Sequence, residues 1–292
     1  MLHRLRKQQT ISKPTTVSGF GLWSGIDSEI EFRPAAENEG ISFVRRDVKN
    51  AVRIPATVDR RVESPRRTIL SVDGQSVEMV EHVMAALAGL LIDNCEVHVN
   101  AAEMPGCDGS SEPFVSALLD AGITQQRAER HCLIVTDVTR VGDDDSWIEA
   151  RPGKPGELSV HYRLDYGSDN AIGRETFKSS IDTDVFQKEL APARTFILEQ
   201  EAEWLRNQGI AQRVTARDVL VFGEEGVIDN ELRFEDECVR HKVLDLVGDF
   251  ALAGCDIYGH FVAQRSGHRL NATMISALLA EGQIIGDLRQ TA

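Results

Sequence analysis

VEHVMAALAGLLIDNCEVHVNAAEMPGCDGSSEPFVSALLDAG, residues 80–122, decides the fold, because the chain runs through the same order again at 239–282 as VRHKVLDLVGDFALAGCDIYGHFVAQRSGHRLNATMISALLAEG. Both stretches open on Val-x-His and close on Ser-Ala-Leu-Leu, two more residues and a glycine. Cys95 with Cys255 and Ser116 with Ser276 share one offset, while His82 with His241 is one residue out of step. Three landmarks agreeing in order point to an internal duplication. Each copy predicts helix, strand, loop, helix. In the first, Val80, Val83, Met84 and Leu87 recur at helical spacing, and Cys95-Glu-Val-His-Val alternates like a strand. The Met104–Pro113 stretch is rich in Gly, Ser and Pro and reads as a loop, with a second helix following from Phe114. In the second copy Val239, Val243, Leu246, Val247 and Phe250 repeat the helical stripe, and Ile257 to Ala263 repeats the strand.

Strand-like sequence lies upstream of each copy: Thr16–Ser18, Glu29–Phe32 and Ile41–Val44 before the first, Leu133–Val135, Trp147–Ala150 and Leu158–Leu164 before the second. The expected fold is α+β, with two duplicated domains, 1–125 and 130–292, meeting near Thr124–Arg130. Each would be a small, mostly antiparallel sheet with two helices. If the halves pack face to face about a pseudo-twofold, equivalent positions converge at the interface, a common place for a site.

Composition excludes several classes. Of 292 residues, 46 are Asp or Glu and 32 Lys or Arg, a net charge of −14. That balance argues against a general nucleic-acid binder, while leaving room for an anionic ligand held by a few local cations. The longest apolar run, Val83 to Ile92, is far short of the roughly 18–20 residues of a spanning helix. The N-terminal MLHRLRKQQTISKP has no apolar segment and does not read as a signal peptide. Five cysteines without CxxC spacing fit reduced thiols in the cytoplasm.

His241 and Asp245 are spaced i, i+4 and share a helix face. With His82 from the matching place in the first copy they make two imidazoles and a carboxylate, a set that suits catalytic Zn²⁺ with a position left for water. The same HxxxD spacing also suits a surface ion pair; the duplication is what favours a ligand set. Such a site needs a carboxylate to take a proton from water, and Glu81 adjoins His82. It needs a proton donor for a leaving amine, and His268 lies in the loop of the second copy. Asp249, one turn beyond Asp245, could orient His268. Lys242 could hold an oxyanion or a phosphate, or be a solvated lysine.

Taken together, SGFGLWSG (18–25), VEHVMAALAGLLIDN (80–94), EMPGCDGSSEPFV (103–115), ARTF (193–196), LRFEDECVRHKVLDLVGD (232–249) and SGHRLN (266–271) resemble the UDP-3-O-acyl-N-acetylglucosamine deacetylase (LpxC) family, in its order and over nearly the whole chain. The resemblance implies two similar α+β domains with the active site between them and zinc on His82, His241 and Asp245, a set that also admits Fe²⁺. It implies Glu81 as general base, His268 as general acid with Asp249 as its partner, and Thr195 as an aid to the oxyanion. Phe196 would line the site, Lys242 and Arg265 would lie near the UDP phosphates, and Tyr166, more loosely aligned, would stack on uracil. The implied reaction removes the N-acetyl group from UDP-3-O-[(3R)-3-hydroxyacyl]-N-acetylglucosamine and releases acetate, the committed step of lipid A biosynthesis. A cytoplasmic monomer is expected, with no nucleic-acid partner, no transmembrane segment and at most transient contact with a membrane.

Two departures stand out. Trp23 replaces the His of the family's Gly-Leu-His-Ser-Gly. The run GIAQRVTARDVLVFGEEGVIDN (209–230) replaces a glycine-rich stretch that helps form the family's acyl passage, so acyl-length preference does not carry over. A zinc hydrolase of another N-acyl substrate and a non-catalytic sugar-nucleotide-binding protein remain open at this point.

Overall fold

The computed structural model describes residues 5–281 and 283–285. Among these lie helices α1 (Glu81–Gly89), α2 (Glu112–Ala121), the single turn α3 (Thr183–Val185), α4 (Glu199–Asn207), α5 (Glu237–Phe250) and α6 (His268–Glu281). Several small sheets accompany them, so the class is α+β, as expected.

A five-stranded sheet runs in the order Thr15–Phe20, Asp27–Pro34, Cys95–Val99, Ile41–Arg45, Arg53–Pro55. Its middle strand, Cys95–Val99, pairs antiparallel on one side and parallel on the other. In the larger sheet Asp256–Gln264 has the same situation: Trp147–Arg151 lies antiparallel to it, and Leu158–Asp165 and Cys132–Ile134 lie parallel. The two repeat strands therefore hold equivalent places, which is consistent with the duplication. Both sheets are mostly antiparallel.

Two details differ from expectation or sharpen it. Residues 123–129 form a strand, Ile123–Glu129, paired antiparallel with Lys7–Ile11. His268, expected in a loop, opens α6 instead. The carbonyl of Gly267 accepts a bond from the amide of Asn271 at 3.0 Å, so helical bonding begins one residue before the histidine. The Gly in Ser266-Gly267 reads as a loop signal, but here it stands just outside a helix start.

The core is continuous between the halves. Every residue of α1 except Ala88 is buried, and α1 packs along α5. The α5 amide of Val239 donates to Glu175 Oε2 at 2.7 Å, so a carboxylate from the strand Arg174–Ser180 satisfies a first-turn N–H at the positive end of the helix. Arg6 bonds Asp93 and Asp256 together, each at 2.7 Å, and Arg130 lies 2.9 Å from Asp93. All five cysteines are free thiols. No helix among the described residues is long and apolar enough to cross a membrane.

At Gly248 the two helices meet backbone against backbone. A Cβ there would sit 2.1 Å from the carbonyl oxygen of Glu81 and 3.1 Å from the amide of Ala85. Both are backbone atoms of α1, so the helices would have to part. Gly248→Ala is expected to cost about 1–3 kcal/mol, the range of core overpacking, read as a lower Tm and denaturant midpoint. Unchanged stability would mean the two helices are not locked.

Candidate metal centre

α1 and α5 bring the two repeat histidines together. The rings of His82 and His241 lie 5.0 Å apart, nearly perpendicular at 84°. Their Nε2 atoms are 3.6 and 3.4 Å from Asp245 Oδ1. One donor atom from each of the three residues lies within 4.8 Å of the others, and all three residues are buried.

The donors suit a cation. His241 Nδ1 bonds the carbonyl of Ala193 at 3.0 Å; as donor it leaves Nε2 with a free lone pair. Burial pushes His241 down to about 3, so the ring is neutral at physiological pH. Asp245 Oδ2 accepts from Lys242 Nζ at 2.6 Å. Its other oxygen, Oδ1, is buried with no hydrogen-bond partner. Burial would raise the Asp245 pKa, but the Lys242 ammonium beside it holds it well below the carboxylate range. A buried, ionised oxygen without a donor is costly unless a cation meets it.

Beside this group stands a second pair. His268 Nδ1 bonds Asp249 Oδ2 at 2.9 Å, and Asn271 Nδ2 donates to the same oxygen at 2.8 Å. His268 Nε2 is 3.9 Å from Glu81 Oε1. Burial works against charge on His268, yet Asp249, and then Glu81, lift it to about 9. Burial also raises Glu81, although His268 and His82 pull it back.

Of the residues singled out in the sequence, Glu81, His82, Thr195, Phe196, His241, Lys242, Asp245 and His268 line one cavity of about 690 Å³, together with Tyr166 and Arg265. Asp249 is buried behind His268, outside the lining. Phe196 stacks edge-on with Tyr166 at 5.9 Å and with His241 at 6.4 Å. Leu22, Ala202, Leu205, Val214, Val219 and Val221 give the cavity an apolar wall. The unusual 209–230 stretch supplies part of that wall: Leu220–Phe222 pairs parallel with Phe196–Leu198. Trp23 also lines the cavity, with the Arg67 guanidinium 4.5 Å over its ring and its carbonyl bonded by the Ala211 amide.

With this geometry in hand, comparison with known proteins is specific. Residues 8–280 match the family described as LpxC, UDP-3-O-acyl N-acetylglycosamine deacetylase. A protein of Syntrophotalea carbinolica is 37% identical over 94% of this chain and 88% of its own length. One from Haemophilus influenzae is 37% identical, and one from Shewanella baltica 38%, each over 94% of this chain and 90% of its own length. All three are named UDP-3-O-acyl-N-acetylglucosamine deacetylase.

Two residues inside the quoted motifs have a role that their sequence positions do not signal. Arg194 of ARTF and Glu237 of FEDE form a buried pair: Arg194 Nε to Oε1 at 2.8 Å, Nη2 to Oε2 at 3.1 Å, and the Arg194 amide to Oε1 at 3.0 Å. The pair fixes the backbone between the Ala193 carbonyl that meets His241 and Thr195, whose amide bonds Gly109 of the first half at 2.8 Å. Two opposite charges 43 residues apart carry no periodic signal. Arg194→Met is expected to cost about 3–5 kcal/mol, because it strands a buried carboxylate. Chemical denaturation measures this, and a loss under 1 kcal/mol would show the pair is not a structural tie.

Proposed function

The chain belongs to the UDP-3-O-acyl-N-acetylglucosamine deacetylase family, and from that premise we propose how its site works. It is a hydrolase of a linear amide in lipid A biosynthesis, removing the N-acetyl group of UDP-3-O-[(3R)-3-hydroxyacyl]-N-acetylglucosamine and releasing acetate. The observation that carries the site assignment is the bare Asp245 Oδ1 between the His82 and His241 imidazoles, beside the Glu81–His268 pair.

His82, His241 and Asp245 would hold a divalent ion. Two imidazoles and one carboxylate suit Zn²⁺, and Fe²⁺ fits the same set. Held there, the ion supplies a water nucleophile active at neutral pH and polarises the amide carbonyl. Glu81 accepts a proton from water as the new C–O bond forms on the acetyl carbon. Its burial makes it a stronger base than an exposed carboxylate. Thr195 and Lys242, on the cavity wall, stabilise the developing oxyanion. His268, kept protonated by Asp249, gives its Nε2 proton to the nitrogen as the C–N bond breaks. Acetate and a free amine result.

For the rest of the cavity the roles follow those that the family resemblance implies. Phe196 lines the reacting end, Tyr166 stacks on uracil, and Arg265 with Lys242 meets the diphosphate. The apolar wall takes the acyl chain. The reading divides the chain into units 1–125 and 130–292 and places a monomer in the cytoplasm, meeting its amphiphilic substrate in solution or at a membrane face.

Acetate release and elemental analysis test it together. Glu81→Ala should keep its metal and lose about 10²–10⁴-fold in kcat, the usual weight of a general base. His82→Ala and His241→Ala should lose the metal itself. Wild-type protein without a bound transition metal, or without acetate release, would overturn the reading.

The pH profile of kcat/KM should be bell-shaped. Its acid limb falls as Glu81 protonates, above the ordinary 4.5 because burial raises that group. Its alkaline limb falls as His268 loses its proton near pH 9. A profile flat from about pH 5 to 10 would contradict this division of labour.

A further inference from the structure

Thr68 has no part in the roles assigned above, and it is fully buried. It stands between Arg66, whose backbone is left-handed at φ 65°, and the strand Ile69–Val72. Its amide donates to Glu81 Oε2 at 3.0 Å. Its hydroxyl donates to Asp249 Oδ1 at 2.6 Å. One residue thus bonds two carboxylates on different helices, α1 and α5.

We propose that Thr68 is a positioning residue for the deacetylation, setting the base Glu81 and the acid His268 at a fixed distance and orientation. The proposal rests on the roles given to Glu81, Asp249 and His268 above. With Oε2 tied to the Thr68 amide, Oε1 is the oxygen left toward His268 Nε2, 3.9 Å away. On Asp249, Oδ2 is shared by His268 Nδ1 and Asn271 Nδ2, while Oδ1 is met by Thr68. Donors on both oxygens stop the carboxylate from turning, and a fixed carboxylate fixes the imidazole. Without the hydroxyl, Asp249 can rotate and carry the His268 ring with it. Small displacements of a proton donor are felt mainly in the transition state.

A core residue that merely satisfied its hydroxyl would affect stability alone. Side-chain variants separate the cases, because the amide bond to Glu81 survives in each. Thr68→Val keeps the branched shape and removes the hydroxyl, whereas Thr68→Ser keeps the hydroxyl. The metal-loaded full chain is assayed for kcat and KM of acetate release, metal content and Tm.

Thr68→Val is expected to lower kcat about 10- to 100-fold, the range of one hydrogen bond lost to a buried charge. KM and metal content should stay within about twofold, and Thr68→Ser should restore kcat to within about threefold, on the same scale. A valine variant with wild-type kcat, or a serine variant as impaired as the valine one, would overturn the proposal. So would a kcat loss matched by lost metal. If the valine protein fails to fold, Thr68→Ala is held to the same outcomes. Glu81→Ala and His268→Ala are run alongside. If they keep turnover, the underlying roles fail. If they lose it while Thr68→Val does not, only the present inference fails.

Discussion

Everything at the metal centre depends on how closely α1 and α5 can approach. Gly248 lies against the carbonyl of Glu81, and no side chain larger than hydrogen fits between them. That contact lets the N-terminal turn of α1 and the middle of α5 share one space. His82 then meets His241 and Asp245, although the chain separates them by most of its length. A side chain at position 248 would hold the two helices, and with them the three side chains, further apart. The short distance is therefore a property of the backbone before it is a property of the ligands.

The region is unusually charged for a protein interior. Glu81, His82, His241, Asp245, Asp249 and His268 are all at least nine-tenths buried. Ionised groups survive there only when paired. Asp249 has three donors, and Asp245 Oδ2 has Lys242. Asp245 Oδ1 is the exception, which is why it speaks for a cation. The surrounding ties are structural in the same sense. Arg194–Glu237 ties the second half to itself, Arg233–Asp108, at 2.7 Å, joins it to the 103–113 loop, and Ser111 Oγ bonds the carbonyl of His82 at 2.8 Å. The loop between strand and helix in the first copy thus props the metal centre from behind.

Much of this was legible in the sequence. The repeat gave the helix–strand–helix order in both halves, and periodicity located α1, α5 and the strands around 95–99 and 256–264. The pairing of His82 with His241 followed from their equivalent places. What escaped has a common cause: it depends on contacts between distant segments. Residues 123–129 read as a polar boundary, yet they are a strand because Lys7–Ile11 lies alongside. His268 read as a loop residue, since the glycine before it marks both turns and helix starts. Glu175 gave no sign that it would satisfy the first turn of α5 from another strand. Arg194 and Glu237 sat inside recognised motifs but had no role until geometry joined them.

The parallel pairing of Phe196–Leu198 with Leu220–Phe222 has an evolutionary consequence. Parallel strands need a long connection, and here the connection is α4 and the segment up to Val219, part of the cavity's apolar wall. Both ends of that excursion are clamped next to Thr195, whose carbonyl accepts the Leu220 amide at 2.9 Å. The excursion between them is free to lengthen, shorten or change composition at small entropic expense, since loop closure depends only weakly on length. Descendants of one ancestral protein can thereby remodel the apolar wall of the cavity while the helices that carry Glu81, His82, His241 and Asp245 stay in register.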